Sequence, residues 1–186
     1  MKARKITFFL WILLITGGIS IYIFFPEKLS LLFLQEISKN DMLVIFLIYY
    51  LVVSLRGLTF IPSSPLLLAG VLIFDPVKLF IINLAAILTS STIVYYFSKY
   101  LGFDVYFETK YKETAQKIRK KLMDKELPII VGWSFFPLTP TDLVVYVGST
   151  LRVSVFKCLF GVLIGEAVLT AFYITTATMI LQNTVP

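Results

Sequence analysis

Apolar residues come in runs along this chain, and the interruptions between the runs are as informative as the runs. Residues 6–25 carry no charge, and twenty residues at about 1.5 Å each make a helix of about 30 Å, one bilayer core. The run follows "MKARK", exceeds a signal-peptide core and lacks a small-residue cleavage site. It predicts a retained anchor with its N-terminus inside. "PEKLSLLFLQEISKND" then mixes leucines with charges and predicts a segment at the outer interface. Residues 42–61 are apolar except for Arg56, and 79–98 are again long enough to span. Residues 153–182 supply a last span, interrupted by Lys157 and Glu166. Two shorter runs, 66–74 and 129–136, reach only about half a membrane as helices.

Each short run adjoins a pair of prolines, in "FIPSSPLLLAG" at 60–70 and in "FFPLTPTDLVVYVG" at 135–148. A proline inside a helix removes a donor, clashes with the preceding turn and costs roughly 3 kcal/mol. In hydrocarbon the freed carbonyls find no water, so they must face protein or a wet cavity. The prolines therefore predict turns between half-helices, at 62–65 and 137–140. The two stretches share an aromatic residue, Pro-x-x-Pro, hydroxyl residues and a following glycine, then a lysine at Lys78 or Lys157.

Counting crossings from an inside N-terminus makes the two hairpins enter from opposite faces. Thirteen Lys/Arg then lie inside and three outside, with Arg56 in the membrane, as the positive-inside rule demands. The expected fold is an all-α integral membrane protein: a small helical bundle with two opposed re-entrant hairpins related as an inverted repeat, the arrangement in which transporters build substrate sites. Its parts are an anchor and outer segment (1–41), a first repeat (42–98), a basic cytoplasmic segment (99–127) and a second repeat (128–186). The plainer alternative is two proline-kinked spans.

Residues 99–127 form the long polar segment, with eight Lys/Arg against five Asp/Glu. Phe107, Tyr111, Ala115, Ile118 and Leu122 recur at helical spacing, and Glu108/Lys112 and Glu113/Lys117 are i,i+4 pairs. The pattern predicts a basic amphipathic helix on the inner leaflet.

Composition narrows the function. The 186 residues are 58% hydrophobic with a mean hydropathy of +0.88, too apolar for a soluble domain of this size. The net charge of +6 sits at the ends of apolar runs, which sets orientation and favours anionic headgroups rather than nucleic acid. Histidine is absent, which removes Ser-His-Asp triads and His-based zinc sites, and lone Cys158 permits no internal disulfide. With no acidic metal-ligand cluster either, an enzyme such as a membrane phosphatase is disfavoured and no cofactor is expected.

The candidate site gathers at the breaks. Pro62, Ser63, Ser64 and Pro65 form one, and Pro137, Thr139, Pro140 and Thr141 the other. Ser63, Ser64, Thr139 and Thr141 are placed to cap half-helix starts, whose free amides attract anions. Charge inside a membrane is costly, at least about 2.5 kcal/mol per group near a helix centre, so Arg56, Asp142 and Glu166 need reasons. Arg56 and, at the inner mouth, Arg152 are candidates for holding a phosphate; Asp142 and Glu166 for coupling to protons. The plainer readings are a static Arg56–acid pair, Asp142 as a cap, and Arg152 as an interfacial anchor.

"IPSSPLLLAG…DPVKLF", "YYFSKYLG" and "FFPLTPTDLVVYVGSTLRVSVFKCLFGVLIGE", in this order over residues 55–166, resemble the DedA superfamily, also called the VTT-domain or SNARE-associated Golgi protein family. The resemblance implies a bundle with two opposed re-entrant hairpins and lipid translocation, by phospholipid scrambling or by recycling of undecaprenyl phosphate. The partners it implies are membrane lipids, an anionic phospholipid or a polyprenyl phosphate, in the plasma membrane of a prokaryote. Two positions depart from the family's pattern. Ser134 stands where an arginine is frequent, three residues before the first proline of the second hairpin, and Ser63 and Ser64 stand where many relatives carry an acid. The expected function is a lipid transporter or scramblase serving envelope homeostasis. Alternatives are a small-solute or ion transporter on the same scaffold and a scaffold protein binding partners through its basic helix; homo-oligomerisation stays open.

Overall fold

The computed structural model describes residues 2–24, 41–59, 61, 63–122, 125–137 and 140–184, and every regular element among them is helical. The expected outer segment up to residue 40, Pro62 and Thr139 lie outside these residues. The first helix, α1, is Lys2–Phe24. Helix α2, Met42–Leu55, starts where the Asp41 carboxylate accepts from the Leu43 amide at 3.2 Å, an N-cap. A 3-10 turn, Arg56–Leu58, ends it, and the Thr59 hydroxyl donates to the Arg56 carbonyl at 2.7 Å. The Thr59 amide donates to the same carbonyl at 2.8 Å, so the turn is closed by two bonds from one residue.

Helix α3 is Ser63–Val71, so the first break comes just before it and Pro65 sits inside its first turn. The expected turn at 62–65 thus shifts towards residue 59, because a first helical turn tolerates proline's missing amide. The second break keeps both prolines, Pro137 and Pro140, between α7, Glu126–Ser134, and α8, Thr141–Thr150. The long helices are α4, Pro76–Leu101, which stops at left-handed Gly102 (φ 79°), and α9, Val155–Thr184.

The polar segment is not one helix. It forms α5, Phe103–Lys110, and α6, Lys112–Leu122, broken at Tyr111. The break separates Glu108 from Lys112, and the expected pair is replaced by tertiary partners. Glu108 takes Arg119 at 2.5 Å and Arg152 at 2.6 Å, while Asp104 takes Arg152 at 3.3 Å. No ion pair joins Glu113 to Lys117 among the described residues. Arg119 also donates to the Leu151 carbonyl at 2.9 Å, so it closes the C-terminal end of α8. There the Val153 amide bonds back to Gly148 at 2.9 Å and Arg152 takes a left-handed φ of 60°, a helix stop that usually needs glycine.

Packing follows one rule. Helices α4 and α9 lie against each other; α2 packs on α4 and α7 on α9, while α3 crosses to α9 and α8 crosses to α4. Exchanging α2, α3 and α4 for α7, α8 and α9 leaves this pattern unchanged. Close approach of α7 to α9 requires Gly161 and Gly165: a Cβ at 165 would lie 2.6 Å from Ser134 Cβ and 2.7 Å from the Val131 carbonyl oxygen. Small residues four apart are the usual way two apolar helices approach this closely.

The molecule is unusual in where its polarity lies. Leu79, Ile87, Val94, Val145 and Val162 are fully buried, but so are Asn83, Ser90, Ser91, Ser98, Ser134, Asp142 and Ser149. Outside, Leu43, Leu47 and Leu51 of α2, Val77 and Ile81 of α4, and Phe156, Val168, Phe172 and Ile180 of α9 are exposed.

Candidate functional site

The site is built where the two breaks meet. Arg56 leaves the apolar face of α2 in the 3-10 turn and is 3% exposed; Asp142, in the first turn of α8, is 1% exposed. Arg56 Nη1 donates to Asp142 Oδ2 at 2.7 Å and to the Ile61 carbonyl at 3.2 Å. Asp142 Oδ1 accepts from the Ser90 hydroxyl at 3.1 Å, so its two oxygens join α2 and α4 to α8. Gly57 makes the approach fit. A Cβ there would lie 2.3 Å from Ser90 Oγ and 2.6 Å from Asp142 Oδ1. The turn is covered from α1, whose Trp11 indole donates to the Leu58 carbonyl at 2.8 Å.

The second carboxyl, on α9, reaches the first through the chain neighbour of Asp142. Thr141, immediately before Asp142, donates to Glu166 Oε1 on α9, and Glu166 is 2% exposed. One turn further along α9, Thr170 accepts from Asn83 Nδ2 at 3.2 Å, and Asn83 Oδ1 accepts from the Tyr49 hydroxyl at 2.9 Å. Buried polar contacts therefore link α2, α4, α8 and α9. Within them Arg56 is under-used: its Nε and Nη2 are buried without a partner among the described residues. A guanidinium carries five donors in a planar fork that matches a carboxylate or phosphate. The fork thus keeps donor capacity that Asp142 and the Ile61 carbonyl do not use. Among the described residues no group of three or more Cys, Asp or Glu side chains gathers as metal ligands.

Of the residues read from the sequence, the structure brings Arg56, Thr141, Asp142 and Glu166 together. Thr141 does not cap α8; the N-cap position is Pro140, without a side-chain hydrogen bond, and the Thr141 hydroxyl is spent on Glu166. Ser63 and Ser64 lie half-buried in the first turn of α3, and Pro65 and Pro137 are exposed. Arg152 stands at the far end of α8, bound to Asp104 and Glu108. Ser134 is fully buried under Gly165, its hydroxyl without a partner among the described residues.

Gly57, Ser90 and Asn83 were missed. Their signal is in the spacing: Asn83 and Ser90 stand seven residues apart, two helical turns, as do Ser91 and Ser98, and a glycine directly follows the lone intramembrane arginine.

Against models of protein families, residues 61–179 match the VTT domain. The chain belongs to the VTT-domain family. No curated protein and no solved structure gives a significant match. The VTT match contains Ser90, Asp142 and Glu166 and begins after Arg56 and Gly57, so the ion pair joins the matched region to the turn preceding it. Membership in the VTT-domain family, with two helices long and apolar enough to cross a membrane, supports a membrane location and a transporter-like role.

Proposed function

We propose that this VTT-domain protein moves anionic lipid headgroups, those of a phospholipid or a polyprenyl phosphate, between the leaflets of a membrane. The observation carrying this reading is a buried guanidinium with an open donor edge, set between two helix breaks in a protein whose outer faces are apolar. Apolar faces on α2, α4 and α9 suit acyl chains, and a polar interior suits what acyl chains exclude. The α2–α3 and α7–α8 pairs act as re-entrant hairpins from opposite leaflets, an inverted repeat in keeping with the exchange-invariant packing. The headgroup phosphate is drawn to Arg56 at the hairpin tips, with Ser63, Ser64 and the α3 start beside its path. Asp142 and Glu166, joined through Thr141, exchange the protons that accompany movement. The N-terminus and residues 99–127 face the cytoplasm.

The test is reconstitution of the full chain into vesicles carrying labelled phospholipid or polyprenyl phosphate. Loss of label asymmetry faster than in protein-free vesicles is expected, and Arg56→Gln slows it at least tenfold. Rates equal to protein-free vesicles overturn the reading.

A further inference from the structure

Three acidic side chains around α5 and α6, Asp104, Glu108 and Glu126, are held internally. Asp104 and Glu108 hold Arg152, Glu108 also holds Arg119, and Glu126 holds Lys157 at 2.5 Å. Lys110 lies against Tyr106 and Tyr111. That leaves Lys112, Lys117, Lys120 and Lys121 of α6 and adjoining Lys125 exposed, with no ion pair or hydrogen bond among the described residues. Glu113 is the lone acid on the helix.

The opposite stripe of α6 is fixed. Ile118 and Leu122 pack on the core, and Arg119 holds Glu108 and the α8 end. The lysines therefore cannot turn inward to find partners. Lys117, Lys120 and Lys121 form a cationic face turned away from that stripe, with Lys112 at its edge beside Arg119.

We infer that the outer face of α6 is a docking surface for an anionic membrane surface, its lysines meeting lipid phosphates while Arg119 ties the helix to Glu108 and to the end of α8 and half-buried Ile118 and Leu122 face the core. The partner follows from charge and from site. Unpaired lysines attract anionic headgroups within about a Debye length, and a helix tethered to a membrane-embedded body has headgroups as its nearest anions. The inference rests on the membrane location in the proposed function, not on transport. A docked α6 steadies, through Arg119, the C-terminal end of the helix whose first turn carries Asp142.

The experiment uses the full chain with Thr114→Cys, on the exposed face of α6, labelled with bimane; the native Cys158 is buried and stays unlabelled. The chain is placed in nanodiscs of phosphatidylcholine alone or mixed with phosphatidylglycerol. Blue-shifted emission and reduced acrylamide quenching are expected only with phosphatidylglycerol, reversed by high salt. Each Lys→Gln change at 112, 117, 120 or 121 weakens the attraction roughly fivefold, and the quadruple variant, with unchanged circular dichroism, loses the response. Equal emission and quenching in both lipids, or an unaffected quadruple variant, overturns the inference. So does an equal response to soluble polyglutamate in phosphatidylcholine discs, which assigns the face to an acidic protein instead. Failure of the chain to enter either disc sinks the membrane location itself, whereas docking without lipid movement leaves the inference standing and removes only transport.

Discussion

A guanidinium with one carboxylate partner, and two nitrogens without a partner among the described residues, sits in a balance that a single atom can upset. Asp142→Asn removes the compensating charge and leaves Arg56 buried alone, which costs about 3–5 kcal/mol. Thermal unfolding in detergent should show a large drop for this variant, and Arg56→Met with Asp142→Leu should recover most of it without recovering lipid movement. Recovery of both would mean that the pair only holds the fold. Gly57→Ala presses a methyl group between Ser90 and Asp142, and about 1–3 kcal/mol is expected from such overpacking, again read by unfolding. At this scale the sequence was partly legible. Arg56, Asp142 and Glu166 stood out as charges in apolar runs, but nothing local says that Arg56 finds a partner 86 residues away. Ser90 looked like an ordinary small residue of an apolar helix, because its role comes from where α8 lies.

Among the elements, lengths were easier to read than joints. The two spanning lengths, the short arms and the proline breaks followed from counting apolar residues, since a helix rises by a fixed amount per residue. The joint at Tyr111 was hidden because apolar spacing continues through it, and spacing reports a shared face rather than an unbroken axis. The i,i+4 expectation at Glu108 failed for the same reason: two arginines brought by other helices offered better geometry. Arg119 is the hinge pin of this region. Arg119→Gln removes a charge from Glu108 and the bond to Leu151, so amide exchange across 112–122 should quicken at least tenfold while α4 and α9 keep their protection. Unchanged exchange across 112–122 in the variant would show that α6 is held by its apolar stripe alone. Gly165→Val should separate α7 from α9 and lower the unfolding temperature more than Gly132→Val, because position 132 meets open space.

Composition spoke clearly about the whole molecule and connectivity did not. An apolar exterior around a polar interior follows from a chain too hydrophobic to hide its side chains and too rich in isolated polar residues to expose them all to lipid. Which short helix lies on which long one was illegible, since every apolar face is a plausible partner for every other. The answer has a consequence for how the protein is made. Helix α3 leans on α9, and α9 comes last. A nascent chain halted before Val155 therefore holds an unsupported half-helix, and quality-control proteases should clear it quickly. Two fragments divided between α6 and α7 should each be degraded when synthesised separately and accumulate when synthesised in the same cell, because each supplies the surface the other is waiting for.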